Sequence, residues 1–167
     1  MNLNKFEQVM LPHMNAAYNL ARWLMHNDTD AEDAVQEAYL RALRFFDSFH
    51  GEDGRGWLLA IVRNTCRTAL QKQPKVSEFR EEMHSMDEAG IEMRMLKQDE
   101  VDSVRWCIEQ LPPEYREVIV MRELEQMSYK EIAAAAAAPL GTIMSRLARA
   151  RARLQDCLTV RIPGVRT

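Results

Sequence analysis

The chain has 167 residues, 47% hydrophobic and 28% charged, with six glycines, six prolines and a formal net charge of −3. That length suits one medium domain or two small ones, and the balance excludes wholesale disorder and collagen-like or low-complexity scaffolds. No apolar run approaches the roughly 18 residues of a membrane span, and Met1-Asn2-Leu3-Asn4-Lys5 lacks the plan of a secretion signal, so a soluble cytoplasmic protein is expected.

The apolar series Phe6, Val9, Met10, His13, Met14, Ala17, Leu20, Ala21 and Leu24 steps by three and four, the spacing of an amphipathic helix that Pro12 bends or restarts. Asp28-Thr29-Asp30 supplies capping side chains for a second helix with the stripe Val35, Ala38, Tyr39, Ala42, Leu43 and Phe46. A glycine-rich loop, Gly51 to Gly56, precedes a third helix marked by Trp57, Leu58, Ile61, Thr65 and Ala69, which Pro74 ends. The spacing of Trp57 with Ile61 favours a core position over a stacking platform. Between about residues 73 and 97 large aliphatics thin out, and acids and methionines (Met83, Met86, Met93, Met95) take over, which reads as a flexible linker. Val101, Val104, Ile108 and Leu111 then share a helical face, and Pro112-Pro113 ends that helix and begins one with the stripe Tyr115, Val118, Ile119 and Leu124.

No β-alternation occurs, so the fold class is all-α: two small helical domains, residues 1–72 and 98–160, joined by the linker. Units of that size bury only about 60% of their unfolded surface, so each is marginal alone.

Charge is segregated along the chain. Gly54 to Val76 carries Arg55, Arg63, Arg67, Lys72 and Lys75 and no acid, and from Arg146 to the end six arginines face one acid, Asp156. Two basic stretches flanking an acidic middle suggest two surfaces for a polyanion. Cys66, Cys107 and Cys157 form no C-x-x-C pair, and the four histidines are not at ligand spacing from them. Incidental or buried thiols in a reducing compartment are therefore expected, with no metal and no cofactor. No clustered nucleophile, acid–base pair or phosphate loop suggests catalysis.

Ser128-Tyr129-Lys130-Glu131 is a capping box, and Met127 and Ile132 occupy the positions of a hydrophobic staple. A helix starts at Tyr129, runs through Ala133–Ala138 and stops at Pro139; after a short turn a longer helix buries Ile143, Leu147, Ala150, Leu154 and Leu158. This is helix-turn-helix grammar. On the second helix Thr142, Arg146, Arg149 and Arg153 fall in one stripe, with Ser145 at its margin, roughly 110° from the buried one. Such side chains reach phosphates and base edges of duplex DNA.

Leu111-Pro112-Pro113-Glu114-Tyr115-Arg116-Glu117-Val118, the segment Ser128–Ala133 and the run Pro139–Arg151 resemble the C-terminal DNA-binding domain of extracytoplasmic-function (ECF, group 4) sigma factors, subunits of bacterial RNA polymerase. Asp30–Ala42 resembles their polymerase-binding helix, and Phe49-His50-Gly51 through Trp57–Asn64 their promoter-melting segment. The resemblance implies that Asp33, Gln36, Glu37 and Leu40, continued by Arg44, meet the clamp helices of the polymerase largest subunit. It implies that His50, Gly51, Arg55, Arg63, Asn64 and Arg67 hold a single strand of the −10 element. Thr142, Ser145, Arg146, Arg149 and Arg153 would bind the −35 duplex, and an anti-sigma factor would be a further partner.

Two departures stand out. Ala137 occupies the place of the family's turn glycine, which would cost roughly 1–2 kcal/mol if the turn needs a left-handed residue, and Met144 stands where relatives are often basic. The alternative is a dimeric operator-binding regulator, which leaves the Asp33/Gln36 face and the glycine loop unused.

Overall fold

The computed structural model describes residues 2–72 and 96–162. Helix α1 (Leu3–Met10) is capped by Asn2, whose side chain accepts from the Lys5 N–H. Pro12 sits in a 3-10 turn (Leu11–His13), so the first amphipathic stripe is bent there rather than continuous. Helix α2 (Met14–Met25) ends at His26, in the left-handed region at φ 70. Helix α3 (Asp28–Arg44) is capped by Asn27 rather than by the Asp28–Asp30 cluster: the Asn27 side chain accepts from the Asp30 N–H at 2.8 Å, and the acids instead line the first turn. There they complement the helix dipole, as Arg41 and Arg44 do at the far end.

Helix α4 (Gly54–Lys72) packs against both α2 and α3. Leu20, Leu58, Leu59 and Val62 are fully buried in the cluster they share. α1 crosses the start of α4 so closely that a Cβ on Gly54 would lie 2.7 Å from Val9 Cγ1, which only glycine tolerates. A ladder of rings pins the loop after α3: Phe6–Phe46 at 5.3 Å, Phe46–Phe49 at 6.0 Å and Phe49–Trp57 at 5.1 Å between centroids. Trp57 thus packs against the core, as its spacing suggested.

The acidic, methionine-rich stretch read as a linker lies, from residue 73 to residue 95, outside the described residues. Helix α5 (Leu96–Glu109) follows, then α6 (Pro113–Ile119), which widens into a π-turn over Val120–Leu124. The wider turn moves Leu124 off the apolar stripe expected of it, leaving it 45% exposed. Helix α7 (Tyr129–Ala136) starts on the expected capping box, with Ser128 and Glu131 each bonding the other's backbone N–H. It ends at Ala136, earlier than Pro139, because Ala137 is left-handed at φ 51, ψ 46. This is the strained alanine anticipated at the turn. Helix α8 (Leu140–Arg161) buries Ile143, Leu147 and Ala150.

The expectation of three free thiols is overturned. Cys107 on α5 and Cys157 on α8 form a disulfide, their Cα atoms 5.8 Å apart although 50 residues separate them; only Cys66 is free, and it is buried. Packing of α5 on α8 makes this pairing, and linear spacing cannot show it.

The two halves pack together. α4 lies along α7, α2 meets α6, and their buried apolar residues form one continuous cluster. α4 explains why: Leu58, Leu59, Val62, Thr65 and Cys66 are buried around much of its circumference, as a helix covered from two sides requires. Among the described residues, no helix is long and apolar enough to cross a membrane.

Candidate nucleic-acid interface

The fold treats the three sets of side chains expected to act in docking and DNA binding differently. On α3, Asp33, Gln36, Glu37, Leu40 and Arg44 are all exposed along one face. Leu40 is 61% exposed among them, an apolar residue within a polar face. Glu37 accepts from Arg41 Nε at 3.2 Å, an ordinary i,i+4 pair that leaves the rest of the face free to dock.

On α8 the stripe is present as expected. Ser145, Arg149 and Arg153 are exposed, and Thr142 and Arg146 half-buried. A cleft of about 390 Å³ runs beside it, lined by Glu114, Tyr115, Thr142, Ser145, Arg146 and Arg149. The Arg153 guanidinium lies 5.0 Å from the centroid of the Tyr115 ring, which positions it at the edge of that cleft. Tyr115 is a supporting residue that sequence spacing ascribed only to the core. Gly141, Ser145, Ala148 and Ala152 follow one another along the outermost line of the helix, all exposed. Small residues there let a helix sit deep in a major groove, with longer side chains flanking it. Arg151, on the opposite flank, gives both Nε and Nη2 to Glu123 Oε1 at 3.0 and 2.7 Å, and that bond raises its pKa.

The third set is divided. His50, Gly51, Asn64 and Arg67 are exposed, but Arg55 is only partly so and Arg63 is 6% exposed. Arg63 donates from Nε and Nη2 to the two oxygens of Glu117 on α6, both at 2.8 Å, and from Nη1 to the Asn64 side-chain oxygen at 2.9 Å. Arg67 Nη1 lies 3.8 Å from the same Glu117. Arg55 Nη2 donates to Glu125 at 2.9 Å. Burial holds Glu125 above the usual carboxylate range, with Arg55 opposing that shift. Beside them, Asp53 accepts from the Gly56 N–H at 3.0 Å and lies against Glu131. The hydrogen bond with Glu131, then the one from Gly56, hold the Asp53 carboxyl below its ordinary value. Sequence reasoning missed Glu117, Glu125 and Glu131 as neighbours of this set. The available signal was the run Leu58 to Val62, too apolar for a helix with one free face.

A helix-turn-helix with an arginine stripe on its second helix, beside a second helical unit, is the architecture of a DNA-binding protein. Comparison with known proteins makes this specific. Residues 10–76 match Sigma-70 region 2, and residues 102–154 match Sigma-70 region 4. The chain is 30% identical to the RNA polymerase sigma-H factor of Pseudomonas aeruginosa, over 92% of this chain and 86% of that one. It is 35% identical to the ECF RNA polymerase sigma-E factor of Escherichia coli (strain K12), over 76% and 73% respectively. In structure it resembles the sigma factor RpoE of Bartonella quintana, solved in complex with the anti-sigma factor NepR. The TM-score is 0.71 at 28% identity, covering 93% of this chain and 98% of that one. CnrH, solved with the cytosolic domain of CnrY, superposes with a TM-score of 0.68 at 26% identity over 95% and 90%.

The chain belongs to the sigma-70 family of RNA polymerase sigma factors. It binds RNA polymerase and directs promoter-specific initiation, and its class is not an enzyme class. The operator-regulator alternative falls, because the region 2 match covers the part of the chain which that alternative left unused.

Proposed function

We propose that the chain is an ECF (group 4) sigma factor with a division of labour between residues 1–72 and 98–160. Asp33, Gln36, Glu37 and Leu40 dock on the clamp helices of the largest polymerase subunit. His50, Gly51, Arg55, Arg63, Asn64 and Arg67 hold the melted −10 strand, and Thr142, Ser145, Arg146, Arg149 and Arg153 grip the −35 duplex. An anti-sigma factor restrains it, as NepR and CnrY accompany the two similar structures. Its place of work is the cytoplasm, with the polymerase.

The observation that carries this is the open α3 face with Leu40 at its centre. A mixed polar face around one apolar residue suits docking onto another helix pair. Melting is driven by holding the separated strand better than the duplex, through an unstacked base in a loop and a basic surface for its backbone. The loop after Phe49 and the arginines of α4 offer both. The test is reconstitution with core polymerase on a cognate promoter. The chain with core enzyme is expected to give specific transcripts, and the chain alone none. Asp33→Ala with Gln36→Ala is expected to abolish co-purification with core enzyme while leaving −35 duplex binding intact; retained co-purification would overturn the docking assignment.

A further inference from the structure

The exposed side of α8 has two flanks of unlike chemistry, one on each side of the small-residue line Gly141, Ser145, Ala148 and Ala152. One flank carries Thr142, Arg146, Arg149 and Arg153. On the other, at about 100° per residue, Leu140, Met144 and Arg151 fall within about 40° of one another. Leu140 is 42% and Met144 52% exposed. Arg151, the charged member of the three, is already engaged, since its Nε and Nη2 both donate to Glu123 Oε1. The near end of this flank is therefore apolar, and it occupies the first two turns of the helix.

Flanks so different seek different groups in one groove. Arginines bond phosphate oxygens and guanine edges. Leu140 and Met144 have no N–H or O–H to donate. The apolar group that a base pair presents in the major groove is the 5-methyl of thymine. In a helix-turn-helix, the N-terminal residues of the second helix are the ones that meet base edges. Position along α8 and side-chain chemistry thus agree.

We propose that Met144, flanked by Leu140, is a specificity-determining residue of the duplex contact, its side chain covering the 5-methyl group of a thymine in the −35 element.

This deepens the −35 assignment of α8 and rests on it. A lone exposed aliphatic is ordinary on a protein surface. Here two stand one turn apart, beside a line of small residues that lets the helix approach closely. Methionine suits the contact, because its unbranched, polarisable chain adapts to a small apolar surface. Ala148 and Ser145 lie between Met144 and Arg149 around the helix, so a methyl contact and a guanidinium contact can act on the same stretch of base pairs without competing.

The test uses the full chain with core polymerase. Duplexes that this holoenzyme enriches from a random-sequence library supply the upstream element. Each thymine of that element is then replaced in turn by deoxyuridine, which removes the methyl and leaves the hydrogen-bonding edge unchanged. For the parent chain, at least one replacement is expected to weaken holoenzyme binding about fourfold, the effect of one methyl group withdrawn from water. Met144→Ala is expected to lose about as much on the thymine duplex and to be indifferent to deoxyuridine at that position, so that the two losses do not add. Met144→Leu keeps an apolar side chain of similar volume and should restore the sensitivity. Met144 is exposed, so both variants leave the core intact.

An enriched element without thymine, a parent chain indifferent to deoxyuridine throughout it, or a Met144→Ala chain as sensitive as the parent would overturn the proposal. Arg149→Ala separates this from the assignment beneath it. If Arg149→Ala strips the upstream preference from the enriched duplexes while deoxyuridine has no effect, the methyl contact fails and the assignment stands. A preference that survives both Arg149→Ala and Met144→Ala means that α8 does not read the element, and the two fail together.

Discussion

Leu20, Leu58, Leu59 and Val62 fill the N-terminal helix cluster by side-chain volume, without a cross-link. The C-terminal half is filled as well, by Ile119, Met121, Met127, Ile132, Ile143 and Leu147, although the first helix of its motif presents alanines from 133 to 136, and it adds a capping box, a disulfide and the neighbouring α4. Their exposed faces also differ: the N-terminal half has Arg63 buried and Arg55 partly covered, and the C-terminal half leaves much of the α8 stripe open. Stability is thus distributed across the seam between the halves, and neither half is complete alone. For units this small, burying one against the other supplies surface that each lacks.

The largest expected effect breaks the covalent side of that contrast. The disulfide spans a sequence separation of 50, which encloses α6, α7 and most of α8. Chain-entropy reasoning gives such a loop about 4 kcal/mol of stabilisation. Reduction, or Cys107→Ser with Cys157→Ser, should lower protection of C-terminal amides in hydrogen exchange by that order, and of N-terminal amides by less. Equal losses in both halves would mean that the seam makes them one cooperative unit. Cys66 should take no part: burial pushes its thiol up to about 12, so alkylation should require unfolding.

Slightly smaller is the corresponding cut in the N-terminal core. Leu58 is fully buried on α4, and Leu58→Ala should cost about 3 kcal/mol in urea denaturation. The cavity lies in the helix shared by both halves, so loosening should reach α7 as well. A loss confined to residues before 72 would argue that the halves are energetically separate.

What could be read in the sequence was local. The capping box at Ser128 and Glu131, the left-handed Ala137 and the free α3 face depend on residues within about one heptad of each other, where helical periodicity speaks directly. What could not be read depends on contacts across the chain. The Cys107–Cys157 bond, the Arg63–Glu117 pair and the Tyr115 platform under Arg153 join residues 50, 54 and 38 positions apart, and no spacing rule links them. The π-turn after Ile119 shifts the face by a fraction of a turn, too little for a stripe of four apolar residues to reveal. The charge of Arg63 is legible in the sequence, and the buried carboxylate of Glu117 that meets it is not.

Ala137 offers the next test, of the opposite sign. Glycine populates the left-handed region without a Cβ penalty, so Ala137→Gly should stabilise the C-terminal half by about 1 kcal/mol. The gain should appear in thermal denaturation with −35 affinity unchanged, because Ala137 contributes no side chain to the α8 stripe. If binding weakened instead, the strained turn would be setting the angle of α8.

The smallest effect reports on the seam by pH. Asp53 precedes α4 and accepts from the Gly56 N–H, while Glu131 of α7 reaches it from the other half. The hydrogen bond with Glu131, then that from Gly56, depress its folded pKa. The stability that the charged form gains from the Gly56 N–H is complete above the ordinary aspartate range and is lost as pH falls through the lowered value. Asp53→Asn keeps an acceptor for the Gly56 N–H but cannot titrate, so it should flatten the acid limb of the stability curve and leave neutral-pH stability nearly unchanged.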